Sequence, residues 1–157
     1  MTQEKFSPFQ TAPLPVVIGH ILQRYHEVHR QQFARLLPLA EACAGLPDFP
    51  PDLLPFLHTF ERDLESHLQK EEQILFPMIH AGMGSQTAMP MRVMRMEHDN
   101  HQTALQRLSE LTQDLTPPEN TSDEWRQLYE IIRQFRDDLL DHIAIENELL
   151  FPRALRE

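Results

Sequence analysis

The chain has 157 residues, a formal net charge of −10 and a sequence pI near 5.3. This length suits one compact domain with a sizeable core, and the charge argues against nucleic acid or an anionic membrane as a partner. Cys43 is the only cysteine, which excludes a disulfide framework and a paired-cysteine zinc or redox motif. No apolar run reaches the length of a membrane span, and the amino terminus does not resemble a signal peptide. The sequence therefore predicts a cytoplasmic protein.

The first half of the chain predicts two helices. Residues 1–13 are polar and punctuated by proline, and we expect them to form a tail. Apolar residues at three- and four-residue steps then predict a helix from about Val16 to Ala44, which Gly45 ends. A second helix starts near Asp52. We expect Pro77 to kink or end it, because proline lacks a backbone donor.

The second half predicts two more helices. A loop with two glycines covers about residues 81–90, and a third helix follows from about Met91 to Leu115. The segment TPPEN breaks it. Thr121 and Glu124 have the spacing of a capping box and predict the start of a fourth helix. Almost no segment has the alternation of a strand, so the predicted class is all-α.

One motif occurs twice. HLQKEEQILFP at residues 67–77 recurs as HIAIENELLFP at residues 142–152, and each copy places Glu four residues after His. The first and third helices carry HEVH and HDNH instead. The chain is thus a doubled helical hairpin, and neither hairpin can bury its apolar face alone. We predict that residues 14–157 form one antiparallel up-down four-helix bundle with an internal pseudo-twofold repeat.

The doubled motif predicts a metal site. Glu71 and Glu146 lie on apolar stripes, where a carboxylate must be neutralised, paired or coordinated. Imidazoles from all four helices at similar depth complete a set of four His and two Glu. Two carboxylates that bridge give each of two metals two oxygens and two imidazoles, with a position left open. Such a donor set suits iron or manganese. Spacing leaves His29 and His101 as alternatives to the histidines one turn away.

Other residues near the motif have weaker predictions. Asp63 and Asp138 lie one turn before the motif histidines and either hydrogen-bond their second ring nitrogen or are ordinary surface acids. Glu72, next to Glu71, is expected to face away and to be dispensable for metal binding. A single histidine on an apolar stripe is more often a hydrogen-bonded core residue than a ligand, and the doubling is what favours metal. Three further histidines are expected on the surface or at helix ends, namely His20, His58 and His80.

At these residues the chain resembles hemerythrin-like, His-His-Glu cation-binding proteins, and among them the RIC-type di-iron proteins for repair of iron centres. The segments that carry the resemblance are RYHEVHR, SHLQKEEQILFPMI, GMGSQ, MEHD and DHIAIENELLFPRAL, from about His20 to Leu155. HxxxE with a following Phe-Pro is shared with hemerythrins broadly, whereas EEQILFPMI with GMGSQ is specific to the repair type. The resemblance implies a hemerythrin-like bundle in which His29 and His101 are only neighbours of the site. It implies these iron ligands: His26, His67, His98 and His142, with Glu71 and Glu146 bridging.

The resemblance also implies a function. Two iron ions, bridged by an oxo or hydroxo group, would bind nitric oxide or dioxygen at open positions. The protein would act in nitrosative or oxidative stress defence or in iron-sulfur centre repair, with an iron-sulfur protein as recipient. Many repair-type members carry an amino-terminal domain with a cysteine pair, and we expect this chain to lack it.

Three alternatives remain. A di-iron enzyme such as a nitric oxide reductase is one, although oxygen-activating bundles use Glu-x-x-His and four carboxylates, unlike this chain. An oxygen-binding or iron-storage hemerythrin is another. The resemblance makes oxygen carriage less fitting, because oxygen carriers have five His split unequally between the irons. A sensor or metal store that signals through a partner is the third. No catalytic residue is assigned from the sequence.

Overall fold

A computed structural model describes residues 5–157 and shows that this part of the chain is helical, without a strand. The four long helices are α1 at residues 14–43, α2 at residues 53–80, α3 at Ala88–Leu111 and α4 at residues 123–156. Helix α1 contacts α2 and α4, and α3 also contacts α2 and α4, which makes a closed four-helix bundle. The predicted all-α class is confirmed. None of the helices in residues 5–157 combines the length and the apolar character needed to cross a membrane.

Three of the helices contain one wider turn of π-helix. In α2 the N–H of Phe76 donates to the carbonyl of Glu71, five residues back rather than four. Pro77 follows directly, and it has no N–H and would crowd an ordinary helical ladder. Because the wider turn comes just before the proline, α2 continues through Pro77 to His80 and does not end there. The three π-turns are Leu22–His26, Glu71–Leu75 and Glu146–Leu150.

A layer of buried polar residues separates two apolar cores. One core is built from residues 33–68 and 105–143, and the other from residues 17–25, 75–94 and 145–154 together with Phe6. Each helix therefore passes from one core to the other through a short polar segment. The polar residues of this layer are His26, His29, Gln32, His67, Glu71, His98, His101, His142 and Glu146, all buried.

Two helix ends differ from the sequence prediction. Helix α4 is capped by Ser122 and not by Thr121, because the Ser122 hydroxyl accepts a hydrogen bond from the N–H of Trp125 at 3.3 Å. Helix α3 ends at Leu111, four residues early. The backbone at residues 113–115 has positive φ values of 51°, 57° and 58°, which a right-handed helix does not allow.

The amino-terminal segment is not a free tail over the part that the structure describes. Phe6 is 3 % exposed and belongs to the second core. The Arg153 guanidinium donates to the carbonyl oxygens of Phe9 at 2.8 Å and Ala12 at 2.6 Å. The polar composition of the segment concealed these anchors. Residues 1–4 of the predicted tail lie outside the described residues.

Candidate metal centre

Six side chains of the polar layer form two groups that could each hold a metal ion. Within each group, one nitrogen or oxygen from every residue lies within 4.8 Å of the others. The groups share both carboxylates, and all six residues are at most 1 % exposed. The structure thus brings together all six residues chosen in the sequence. The groups are His26, His142, Glu71 and Glu146, and then His67, His98, Glu71 and Glu146.

Each carboxylate directs one oxygen toward each group. Glu71 Oε1 lies 3.1 Å from His26 Nε2, and its Oε2 lies 3.6 Å from His67 Nε2. Both oxygens of one carboxylate are therefore available to different ions, which is the arrangement of a bridging ligand. Glu146 repeats it, with Oε2 at 3.0 Å from His142 Nε2 and Oε1 at 2.9 Å from His98 Nε2.

Unpartnered polar atoms show that this donor set fits a metal. Four buried atoms that face one another in the second group make no hydrogen bond of acceptable geometry among the described residues, although two of them, His98 Nε2 and Glu146 Oε1, lie 2.9 Å apart. The four atoms are Nε2 of His67, Nε2 of His98, Oε2 of Glu71 and Oε1 of Glu146. Each such atom costs on the order of 1–3 kcal/mol when nothing satisfies it. A single cation between them would satisfy all four. Two imidazoles and two carboxylates suit iron, manganese or zinc.

The four imidazoles of the groups all present Nε2 to the carboxylates. Each donates its Nδ1–H outward, which fixes the tautomer and leaves the Nε2 lone pair for a metal. Three of the acceptors are side-chain oxygens on a neighbouring helix. The bonds are His26 to Glu72 at 2.7 Å, His67 to Glu97 at 2.8 Å and His98 to Asn147 at 2.8 Å.

The fourth imidazole is held by His29. Because Gln32 Oε1 can only accept, Nδ1–H of His29 donates to it at 3.4 Å. His29 Nε2 then accepts from Nδ1–H of His142 at 3.1 Å. Burial lowers the pKa of His29 well below its ordinary value and keeps it neutral, as an acceptor must be. His29 is therefore outside both metal-type groups and orients one of their members.

Of the two alternatives for Asp63 and Asp138, the hydrogen bond to a motif histidine is not the one that the structure shows, and Asp63 is an ordinary surface acid. Asp63 is exposed, and Glu97 occupies the Nδ1 side of His67 in its place. Asp138 accepts from Gln32 Nε2 at 2.8 Å and so reaches His142 only through Gln32 and His29. An acid one turn away on the same helix is not in reach because each imidazole points across the bundle. Its Nδ1 therefore lies against a neighbouring helix.

Glu72 also differs from its prediction, because it does not face away from the site. It accepts the Nδ1–H of His26 and pairs with Arg30 at 2.8 Å. The hydrogen bond from His26, followed by that from Arg30, lowers the pKa of Glu72 to about 2 despite partial burial. The side chain is a carboxylate that holds His26 in place, so we do not expect Glu72 to be dispensable for metal binding.

Replacing Glu72 with Gln should weaken metal binding about ten- to a hundredfold, because a carboxylate behind a ligand imidazole raises its basicity. Competition with a chromophoric chelator measures the affinity. Glu65→Gln is the matched control, since Glu65 binds the same Arg30 at 2.8 Å but does not contact His26. Equal affinities in the two variants would contradict the role assigned to Glu72.

The remaining histidines divide clearly. His101 is 5 % exposed, lies 5.0 Å from His67 between ring centroids and has an unpartnered Nδ1 among the described residues. It belongs to neither group. His58 and His80 are exposed, as predicted, whereas His20 is half-buried and stacks on Phe9 at 4.3 Å.

His101 should make the metal-free protein acid-sensitive. Burial lowers its pKa to about 3, against about 6.5 when unfolded, so the folded state binds fewer protons below pH 6.5. The contribution of neutral His101 to the free energy of unfolding is fully present above pH 6.5 and is lost as the pH falls toward 3. Between pH 7 and pH 5 the free energy of unfolding of His101→Leu should fall about 2 kcal/mol less than that of the wild type. Urea denaturation of the metal-free proteins at both pH values tests this, and equal losses would refute it.

Without metal, protons balance the buried carboxylates. Burial opposes charge on His26, but the nearby carboxylates of Glu146, Glu71 and Glu72 outweigh burial and raise its pKa to about 11. Contacts with His142, His26 and His98 likewise hold the pKa of Glu146 well below its ordinary value, although burial raises it. A metal ion that binds here must displace protons, so its affinity rises with pH.

A closed helical bundle with clustered His and Glu at its centre has the architecture of a cation-binding bundle. Residues 17–154 match the hemerythrin HHE cation binding domain, and the chain belongs to this family. It is 44 % identical to the iron-sulfur cluster repair protein DnrN of Neisseria gonorrhoeae over 96 % of this chain and 97 % of that protein. It is 43 % identical to the iron-sulfur cluster repair protein YtfE of Citrobacter koseri and of Escherichia coli (strain K12 / DH10B), over 94 % of this chain and 69 % of each relative. The hemerythrin-like resemblance and its repair-type relatives are confirmed.

Proposed function

We propose that this protein binds two iron ions at the two groups. Nε2 of His26 and His142 would hold one ion, and Nε2 of His67 and His98 the other. Glu71 and Glu146 would bridge them. The observation that carries the proposal is the sharing of both carboxylates by two His pairs, which gives each ion the same donors.

The chain supplies a fixed, buried site for these ions. Outward hydrogen bonds set the four imidazoles in place before any metal arrives, so little ordering is left for binding. The two apolar cores lie above and below the layer, and its six metal-type side chains are at most 1 % exposed. Four protein donors per ion leave coordination positions open, and bound iron would supply there a binding position for nitric oxide or dioxygen.

The biological role that we propose is cytoplasmic repair of iron-sulfur proteins damaged by nitrosative or oxidative stress. Its support is the name of the relatives, which match this chain over nearly its whole length. Iron would then be both the resident cofactor and the substrate that is delivered to a damaged cluster. An iron-sulfur protein that has lost iron is the expected recipient.

The test combines metal analysis with repair. Protein loaded with ferrous iron should hold about two irons per chain and change its absorption spectrum with nitric oxide. With a reductant present, it should also restore activity to a hydro-lyase whose [3Fe–4S] cluster has lost one iron, because rebuilding the [4Fe–4S] cluster takes one ferrous ion and one electron. Ferrous iron alone, at the same total concentration and with a chelator present, is the control. Absence of iron binding refutes the site, and iron binding without repair refutes the role. Release of nitrous oxide would favour the reductase alternative.

A further inference from the structure

One segment of this acidic chain contains no acid. Asp and Glu make up 24 of the 157 residues, yet none lies between Glu72 and Glu97. Arg92 and Arg95 fall within this segment. It comprises the last turns of α2, the loop at residues 81–87 and the first turns of α3. The local charge is therefore opposite to that of the whole protein.

The same segment exposes apolar side chains. Of the eight large hydrophobic residues that are exposed in the described chain, five belong to it. Methionine and arginine are enriched at protein interfaces, whereas Asp, Glu and Lys are depleted there. The five residues and their exposed fractions are Ile74 54 %, Met83 37 %, Met89 64 %, Val93 38 % and Met96 57 %.

Four of these residues form one patch. At about 100° per residue, Met89, Val93 and Met96 fall within about 60° of one another on the outer side of α3. Lys70 of α2 pairs with Glu97 of α3, and α2 and α3 run antiparallel. Ile74 and Val93 are both exposed, and each lies four residues beyond this ion pair on the same side of it. We call Ile74, Met89, Val93, Met96 and the adjoining Arg92 the Met-rich face.

The positive charge of the Met-rich face favours an acidic partner. Arg92 is exposed and forms no ion pair with any residue of the described range 5–157, unlike most other basic residues of the chain. Arg95 instead donates to the carbonyl of Asn147 and lies over the Phe151 ring. A symmetric dimer whose twofold axis passed close to Arg92 would set that residue near its own copy, with like charges opposed. An acidic partner meets no such repulsion.

The loop beside the Met-rich face is fixed in place. Gly84 lies so close to α4 that a Cβ there would be 2.3 Å from the carbonyl oxygen of Ala154. The Thr87 hydroxyl donates to the carbonyl of Gly84 at 2.5 Å. The face therefore lies on two helices that an anchored loop connects, and a partner would have little to order on binding.

We propose that the Met-rich face docks an acidic iron-sulfur protein, with Arg92 pairing with a carboxylate and the methionines covering apolar side chains at the centre. The inference rests on the proposed repair function, for which it names the contact surface. Iron-loaded Arg92→Glu/Met96→Glu should keep its iron content and lose about tenfold in repair rate when the protein is limiting. The recipient is the damaged, acidic [4Fe–4S] hydro-lyase.

A matched variant controls for charge and polarity. Arg35→Glu/Leu140→Glu likewise replaces one exposed arginine and one exposed apolar residue with glutamate, on α1 and α4, and should repair at the wild-type rate. In a second measurement, methyl-labelled methionine signals are followed as the hydro-lyase is added. Met89 and Met96 should broaden first and Met91 and Met94, which are buried, last, with the effect reduced by salt.

Three results would overturn the inference: equal repair by the two double variants, broadening that does not favour Met89 and Met96, or self-association of the wild type that Arg92→Glu/Met96→Glu abolishes. The last would assign the face to a second copy. If the wild type repairs nothing, the proposed function fails, and the methyl signals alone decide the docking inference.

Discussion

Replacing both Glu71 and Glu146 with alanine should abolish stoichiometric iron binding, with the iron content falling from about two per chain to a small fraction of that. Both groups lose all of their anionic donors at once, because the two carboxylates are shared. Four neutral imidazoles remain, and they cannot offset the charge of two cations in a buried layer. Inductively coupled plasma analysis after desalting measures the iron.

Glu148→Ala is the control for the bridging carboxylates. Glu148 lies two residues after Glu146 on α4 but is exposed, so its loss should leave the iron content unchanged. Circular dichroism establishes that both proteins are helical. Wild-type iron content in the folded double variant would refute the assignment of Glu71 and Glu146 as bridging ligands.

Gly84→Ala should lower the free energy of unfolding by about 3 kcal/mol. The added Cβ would lie 2.3 Å from the Ala154 carbonyl oxygen and 3.0 Å from its carbonyl carbon. Both atoms are backbone, so the clash cannot be relieved by a change of rotamer, and either the loop or the end of α4 must move. Urea denaturation of the metal-free protein measures the loss.

Gly45→Ala provides the comparison. No atom lies within 4 Å of a Cβ built at Gly45, so this variant should differ from the wild type by less than about 1 kcal/mol. If the two alanine variants are equally stable, the close approach of the loop to α4 does not constrain residue 84. The GMGSQ motif would then need another explanation.

The helices and the central residues of the site could be predicted because their signals are local. A pair such as His67 and Glu71 is placed on one face of a helix by helical periodicity alone. Its repetition as His142 and Glu146 distinguishes the pair from a coincidence of sequence. The structure brings these residues together with His26 and His98. That they bind iron remains a proposal.

The supports of the imidazoles could not be predicted in the same way, because they come from neighbouring helices. Glu72, Glu97 and Asn147 each accept from a histidine far away in sequence. Each is adjacent in sequence to a member of the metal-type groups, and that adjacency was the available signal. Spacing along one helix instead favoured Asp63 and Asp138, which do not contact the imidazoles.

Composition also misled at the amino terminus. The first residues are polar on average, but the buried side chain of Phe6 and the hydrogen bonds from Arg153 hold the segment against the second core. Similarly, the apolar pattern at the end of α3 extends to Leu115, which is buried without being helical. The spacing of apolar residues predicts which of them are buried, but not that the backbone is helical. Leu115 is buried by a left-handed turn instead of a helix.

The π-turns set a limit on insertions and deletions. Removing Ile74, an exposed residue inside Glu71–Leu75, would restore an ordinary helical ladder. Everything after it would then rotate by about 100° and shift by about 1.5 Å, which carries Phe76 and Ile79 away from the second core. The number of residues between Glu71 or Glu146 and the Phe-Pro that follows it is thus fixed by the core. A relative that differs there by one residue must have rebuilt the packing beneath it.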